Sequence, residues 1–462
     1  MDPGIMKTTV PTLLLALVLF CRPAVLAAES FDESAKAAHG MLTRLCDDFG
    51  GRLTGSAANR GALDRLAEEL RGLGLKPEEQ PFVMAGWERG DDRVELTAPM
   101  ARRLRVAAIS GSQAHPAFEA EVVSIGSGAE VDYPAEAHGR IALLDANVAL
   151  STRDYTRNAV ERGVKGILFI NREGGGQLLA RTGGFTGDNL PLPIYSLTQE
   201  EGFWLKRLLA RGVPVKVRME TKSRPVPATT ANLRVVLPGR SPERVIVGAH
   251  FDSWDLGQGA MDNGLGVAQL FALARALQGR PLARTVELIW FNGEEQGLWG
   301  SRHAAGLIGD TPIVAMINLD MVGVPIAVNA LGDDSLVPAL TCWQVDRGER
   351  ALALGVQNIN WFGSDHTPYQ LAGVRAITFN APIPRESVRY YHDFADTIDK
   401  LPEQIVVDST AIIGELLLAL VGDRELTPFR RTPADTEKLF TTFGLERRMQ
   451  GAGYWPFPPA PR

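Results

Sequence analysis

Four nearly uninterrupted apolar runs in the second half of the chain fix the class of fold it can adopt. They are RVIVG (244–248), TVELIWF (285–291), IVAMINL (313–319) and VRAITF (374–379). Segments of helical period, such as VAQLFALARAL (267–277), separate them. A strand that is apolar on both faces has to be covered on both faces, and strands that alternate with helices pair in parallel. The expectation is a three-layer α/β/α domain with a mixed sheet. EQIVVDSTAIIGELLLALVG (403–422) supplies a long closing helix.

The first half has a different texture. Residues 30–75 space their apolar side chains at three and four and read as helices, with Ser56 as an N-cap and Gly72 and Gly74 as a stop. From about residue 80 to 222, short β-like runs (RVELTA, LRVAAIS, EAEVVSIG, GRIALLD, GILFIN, PLPIYSL, VPVKVRME) are broken by Gly and Pro. Helical RDYTRNAVERGV (153–164) and TQEEGFWLKRLLARG (198–212) interrupt them. This block gathers no His, Asp and Glu together and reads as a non-catalytic inserted β/α domain, followed by SRPVPATT (223–230) as a linker. The expected division is 29–100 and 226–425 for the larger domain, 101–225 for the insert and 426–462 for a C-terminal tail. That tail, ending GYWPFPPAPR, fits either disorder or packing on a second copy in a homodimer.

Lys7, the uncharged Leu-rich run TTVPTLLLALVLFC (8–21) and the small residues of AVLAAES (24–30) form the pattern of a signal peptide over 1–28. The run is short of the roughly 20 apolar residues of a stable membrane span, so a secreted or periplasmic protein is expected, started at Met1 or Met6. Beyond the leader only Cys46 and Cys342 remain, too few for a disulfide framework. The net charge of −6 and the lack of a dense Lys/Arg block argue against a nucleic-acid partner.

AHFDSWDLGQGAMDNGLG (249–266) joins a strand to a helix through glycines, as phosphate-binding turns do. Gly257 and Gly259 match the first two glycines of G-x-G-x-x-G, but the third place is Asp262, a carboxylate where a phosphate would sit. Metal fits better. In open α/β sheets, ligands bind beyond the carboxyl ends of the strands. His250 follows the first apolar run, Glu294 and Glu295 the second, Asp320 the third, and His392 lies in the loop beyond the fourth. Any one of these alone is ordinarily a cap or a solvated loop residue, and paired glutamates ordinarily start a helix. Strong donors at four strand ends of one sheet are harder to explain that way. The chain carries neither H-E-x-x-H nor G-x-S-x-G.

Five donors with one shared carboxylate make two sites. If Asp262 bridges, His250 and Asp320 complete one and Glu295 and His392 the other, each with room for a water. Two zinc ions suit these sulfur-free donors, and Mn²⁺ or Co²⁺ satisfy the same set. Such a pair polarises a carbonyl and lowers the pKa of water. Glu294, beside a ligand but not one itself, suits a general base. Asp252, two residues past His250, is placed to hold the second imidazole nitrogen. Tyr391 either donates to a developing oxyanion or simply packs in the core.

HFDSWDLGQGAMDNG, FNGEEQG, NLDMVG, SDHTPYQLAGV and YYHDFADT resemble, in order and spacing, the co-catalytic dinuclear zinc exopeptidases, a family that includes bacterial leucyl aminopeptidases and glutamate carboxypeptidases. The likeness is strongest to the carboxypeptidase Q branch. GWERGDD and RDYTRNAVERGVKGILFINR also resemble that branch's inserted protease-associated (PA) domain. Over about residues 30–422 the resemblance implies a phosphorylase/hydrolase-like fold and a peptide or dipeptide substrate. It implies metal ligation by His250, Asp262, Glu295, Asp320 and His392, with Glu294 as base and a cis peptide after Asp262. Asn263 and Trp361 depart from the family pattern, and Tyr391 stands where glutamate carboxypeptidases place an oxyanion tyrosine, so amino- and carboxyl-terminal cleavage both stay open. Two further readings on the same scaffold are a non-catalytic receptor and a single-zinc enzyme like the glutaminyl cyclases.

Overall fold

The four apolar runs become neighbouring parallel strands. In the computed structural model, which describes residues 28–458, their sheet order is Leu282–Phe291, Gly239–His250, Ile313–Asn318, Ala376–Asn380. The expected leader falls outside the described residues except for Ala28, as do the last four positions. Antiparallel Arg224–Leu237 and then Glu78–Glu88 extend the sheet on one side. Ala327–Asn329 and Val356–Gln357 extend it on the other, giving eight strands of mixed direction.

Period two decides the layering. Val245, Val247, Leu288, Trp290 and Ile317 point into one core, against helices Ala28–Phe49, Ala57–Gly72, Leu265–Leu277 and Glu403–Gly422. Ile246, Ile289, Phe291 and Met316 point into the opposite core, against helices Trp299–Gly306 and His366–Leu371. Each such side chain contributes about 1.5–3 kcal/mol by leaving water, so a one-residue slip of any central strand would reverse both layers at once. Helix Ala57–Gly72 starts at Ser56, whose hydroxyl accepts the Asn59 N–H. Among the described residues, Glu403–Gly422 is the one helix long and apolar enough to cross a membrane. Its Val406, Ile413, Leu416 and Leu420 are buried in the first core.

A second eight-stranded sheet is made wholly from residues 92–221. Helices Thr152–Glu161 and Gln199–Ala210 cover it on opposite faces. The insert therefore begins at Asp92, earlier than the expected boundary at 101, because Asp92–Ala98 pairs with Lys216–Thr221. The stretch expected as a linker is strand too. Arg224–Thr229 pairs with Val83–Glu88, so the two domains are joined by a two-stranded ribbon. Pro225 and Pro227 are tolerated there because this half of the strand has a neighbour on one side only.

The C-terminal tail packs on its own chain. Helices Pro433–Thr442 and Glu446–Gly451 bury Phe440, Leu445 and Met449 with Leu298 of the larger domain, and Phe185 of the insert packs against the same cluster. Cys46 is a buried free thiol.

Candidate metal centre

Strand Gly239–His250 ends inside the molecule, and its chain must turn back at once to begin helix Leu265–Leu277. Gly259 takes φ +58, and a Cβ on Gly257 would lie 2.4 Å from the Asp393 carbonyl oxygen. Only glycine fits this close approach. The turn brings Asp262 back beside His250, with the Asp262–Asn263 peptide cis.

All five candidate ligands meet there. His250 Nε2 lies 3.1 Å from Asp262 Oδ1 and 3.5 Å from Asp320 Oδ1. His392 Nε2 lies 3.1 Å from Asp262 Oδ2 and 3.0 Å from Glu295 Oε2. The two oxygens of Asp262 thus face different histidines, and each histidine has a further carboxylate of its own. One donor atom each from His250, Asp262 and Glu295 also fall within 4.8 Å of one another, which ties the two halves into one cluster.

One observation fits a cation in each half, and a second fits one in the His392 half. Ligand bonds of about 2.0–2.2 Å put neighbouring donors of a tetrahedron roughly 3.3–3.6 Å apart, close to these separations. His392 Nε2 and Glu295 Oε1 are also buried with no hydrogen-bond partner. Buried polar atoms are seldom left so unless something else satisfies them. His250, Asp262 and Asp320 would hold one ion and His392, Asp262 and Glu295 the other.

Both imidazoles are turned the right way. His250 Nδ1 donates to the Asp252 carbonyl at 3.0 Å and His392 Nδ1 to the Ala180 carbonyl at 2.8 Å. A carbonyl can only accept, so each Nδ1 carries a proton and each Nε2 is the nitrogen turned to the cluster, where it offers its lone pair once its own proton is shed. Asp252 thus does hold His250, but through its main chain. Its carboxylate, 3.8 Å from Nδ1, accepts the N–H groups of Glu294 and Glu295 at 3.1 and 3.3 Å and so aims the glutamate pair. Ser364 and Asn263 steady the Asp320 loop. Ser364 donates to Asp320 Oδ2, and Asn263 donates to the Leu319 carbonyl while accepting the Met321 N–H.

These groups compete for protons. Burial raises Glu295 to about 7, and Asp262 adds to the effect. Burial by itself would lower His392, but Glu295 and Asp262 outweigh it and lift the imidazole to about 10. His250 is likewise raised against burial by Glu294, Asp262 and Asp320. Asp262, despite burial, is lowered by its two histidines. Glu294 is raised by burial and by Asp320 and Glu295.

A cavity of about 1150 Å³ opens over the cluster, between the insert, the strand ends and the C-terminal helices. Glu294, Glu295, Tyr391 and His392 line its floor, with Phe362 and Arg448 on a wall. Tyr391 stacks on His392, ring centroids 3.6 Å apart. The side chain is 36% exposed at the cavity, but desolvation of its hydroxyl and the nearby Asp262 and Glu295 carboxylates push the phenol above its usual range, so it stays a donor. His366 is not part of the cluster: its Nε2 is bonded to the Trp361 carbonyl, and burial lowers it to about 4.

The insert, expected to be non-catalytic, fixes His392. Ala180 bonds it through both main-chain groups, and Asp393 accepts the Leu178 N–H at 2.5 Å. His392 itself sits at φ 57, a conformation costing about 1–3 kcal/mol that such contacts must hold. No side chain of the insert announces this role, because a main-chain carbonyl does the work. Arg52 and Asp396 also went unnoticed as isolated charges far apart in the chain.

The sequence of residues 232–417 matches peptidase family M28. Aminopeptidase YwaD of Bacillus subtilis (strain 168) is 26% identical over 405 residues, which span 84% of each chain. Human carboxypeptidase Q is 27% identical over 292 residues, 59% of this chain and 62% of that one. The crystal structure of a peptidase M28 precursor from Shewanella amazonensis superposes with a TM-score of 0.76 at 21% identity, covering 88% of this chain and 98% of that one. The matched segment contains every member of the cluster; across these residues the sequence is similar to peptidase family M28, and with the aminopeptidase and carboxypeptidase relatives this identifies a metallopeptidase.

Proposed function

We propose that the chain is a dinuclear zinc exopeptidase that cleaves the terminal bond of short peptides or dipeptides. The observation that carries this reading is Asp262, each of whose oxygens faces a different histidine at 3.1 Å. Two Zn²⁺ ions held there would polarise a substrate carbonyl and make water acidic enough to attack at neutral pH. The chain's own groups supply the rest. Glu294, aimed by Asp252, takes the proton of the attacking water on its carboxylate and passes it to the leaving amine. Tyr391 donates to the carbonyl oxygen as charge develops there. The insert and the C-terminal helices bound the cavity around a short substrate.

A relative that matches along 84% of both chains is an aminopeptidase, and on that ground we place cleavage at the amino end. The leader pattern adds export to a secreted or periplasmic site. Of the tail that suggested a homodimer, Phe440, Leu445, Met449 and Tyr454 are buried on their own chain.

The test is zinc content with a three-substrate panel: an aminoacyl anilide, a free dipeptide and an N-blocked dipeptide. About two zinc per chain with anilide cleavage is expected. Cleavage of the N-blocked dipeptide instead would make it a carboxypeptidase. Zinc-loaded protein inert on all three would support the receptor reading.

A further inference from the structure

Asp262 and His392 stand on loops that leave the sheet two strands apart, with Ile313–Asn318 between. Something has to set their spacing, and the contacts that do so lie beneath the cluster. Asp396, four residues past His392, accepts the Met261 N–H on Oδ1 at 2.8 Å and the N–H of Asp262 itself on Oδ2 at 3.1 Å. Its main-chain carbonyl accepts the Gln258 N–H at 2.9 Å, and Gln258 Oε1 accepts the Ile398 N–H at 2.8 Å. Four hydrogen bonds thus join the two loops.

From the opposite side, Arg52 spends its whole guanidinium on the same turn. Nε donates to the Phe251 carbonyl at 2.9 Å, Nη1 to Gln258 at 2.7 Å and Nη2 to Gly259 at 2.9 Å. Arg52 is fully buried and Asp396 is 4% exposed. A planar fork that meets three carbonyls fixes the turn in a way a flexible ammonium does not. Neither residue lines the cavity.

We propose that Asp396, which clips the Asp262 turn to the His392 loop, and Arg52, which braces that turn, are positioning residues that set the spacing of Asp262 and His392 and so govern chiefly the affinity of the half of the centre formed by His392, Glu295 and Asp262. The other half has its own supports, the Asp252 carbonyl on His250 and Ser364 on Asp320. The clip rests on the dinuclear reading above.

Zinc titration calorimetry of the full chain, with melting curves as the fold control, tests it. Wild type should take zinc in two steps. Asp396→Asn keeps the shape but sets an NH₂ group against one of the two amides. It should weaken the step that uses His392 by about 10–100-fold, the usual effect of losing a ligand's support, and the step that shares only Asp262 by less. Arg52→Lys, which keeps the charge and loses the fork, should weaken the same step. Two unchanged steps in a folded variant, or both weakened alike with a lowered melting temperature, would overturn the clip while leaving the dinuclear reading intact. A wild type that takes a single zinc would remove both.

Discussion

Ser364 donates its hydroxyl to Asp320 Oδ2 at 2.5 Å, which leaves Oδ1 of the same carboxylate turned toward His250 Nε2 at 3.5 Å. Asn318 donates to the Ser364 oxygen at 2.8 Å and holds the hydroxyl in place. Ser364→Ala should therefore free the Asp320 carboxylate to rotate. The expected outcome is a loss of about 10–100-fold in one zinc-binding step with the other unchanged. This is the step that Asp396→Asn affects less, so a double variant should weaken both strongly. Calorimetric titration reads the effect, and an unaltered pair of steps would show that the serine is idle.

Glu294→Gln keeps the size of the side chain and removes its ability to take a proton. Zinc content should stay at the wild-type level, because Glu294 belongs to neither triad. The rate constant for turnover should fall by about 10²–10⁴-fold, the usual contribution of a general base. Wild-type turnover in a fully loaded Gln variant would end the proposed proton path.

What could be read from the sequence, and what could not, follows from which groups do the holding. His250, Asp262, Glu295, Asp320 and His392 stood out because donor side chains recur at strand ends that period two already locates. The supports on His250 and His392 are the carbonyls of Asp252 and Ala180, and a carbonyl belongs to every residue, so no residue type marks them. The same reason misdirected the Asp252 carboxylate, which serves two amides rather than an imidazole. The boundary at Asp92 was hidden because Glu78–Glu88, with Pro81 and Gly86 inside it, reads as broken chain until its partner strand is seen. The tail's burial depends on Leu298 and Phe185, which lie far away in the chain.

Phe440 is fully buried in the cluster that ties the C-terminal helices to both domains. Phe440→Ala should cost about 3–5 kcal/mol locally, by lost burial and the cavity left behind. Because the second of those helices, Glu446–Gly451, forms one wall of the cavity and packs with Phe440, the Michaelis constant for a dipeptide should rise while zinc content holds. Protease sensitivity near residue 432 together with steady-state kinetics would check this. A variant as resistant as wild type, with unchanged kinetics, would mean that the wall stands without the aromatic anchor.

Zinc and protons compete for the same atoms, and the sign of the competition can be worked out. His392 is raised from 6.5 to about 10, so its protonation stabilises the zinc-stripped fold fully below 6.5 and is lost as pH climbs toward 10. Glu295 is raised from 4.5 to about 7, so its protonated form contributes fully below 4.5 and that contribution is lost by about pH 7. Stripped protein should thus lose stability across the whole alkaline climb. Loaded protein should move the other way relative to it, because ligands that shed protons bind zinc more tightly and binding stabilises the fold by mass action. The gap in melting temperature between zinc-loaded and chelator-treated protein should widen from about pH 6 to about pH 9. A gap that stays constant or narrows would mean that these protons are not the ones zinc displaces.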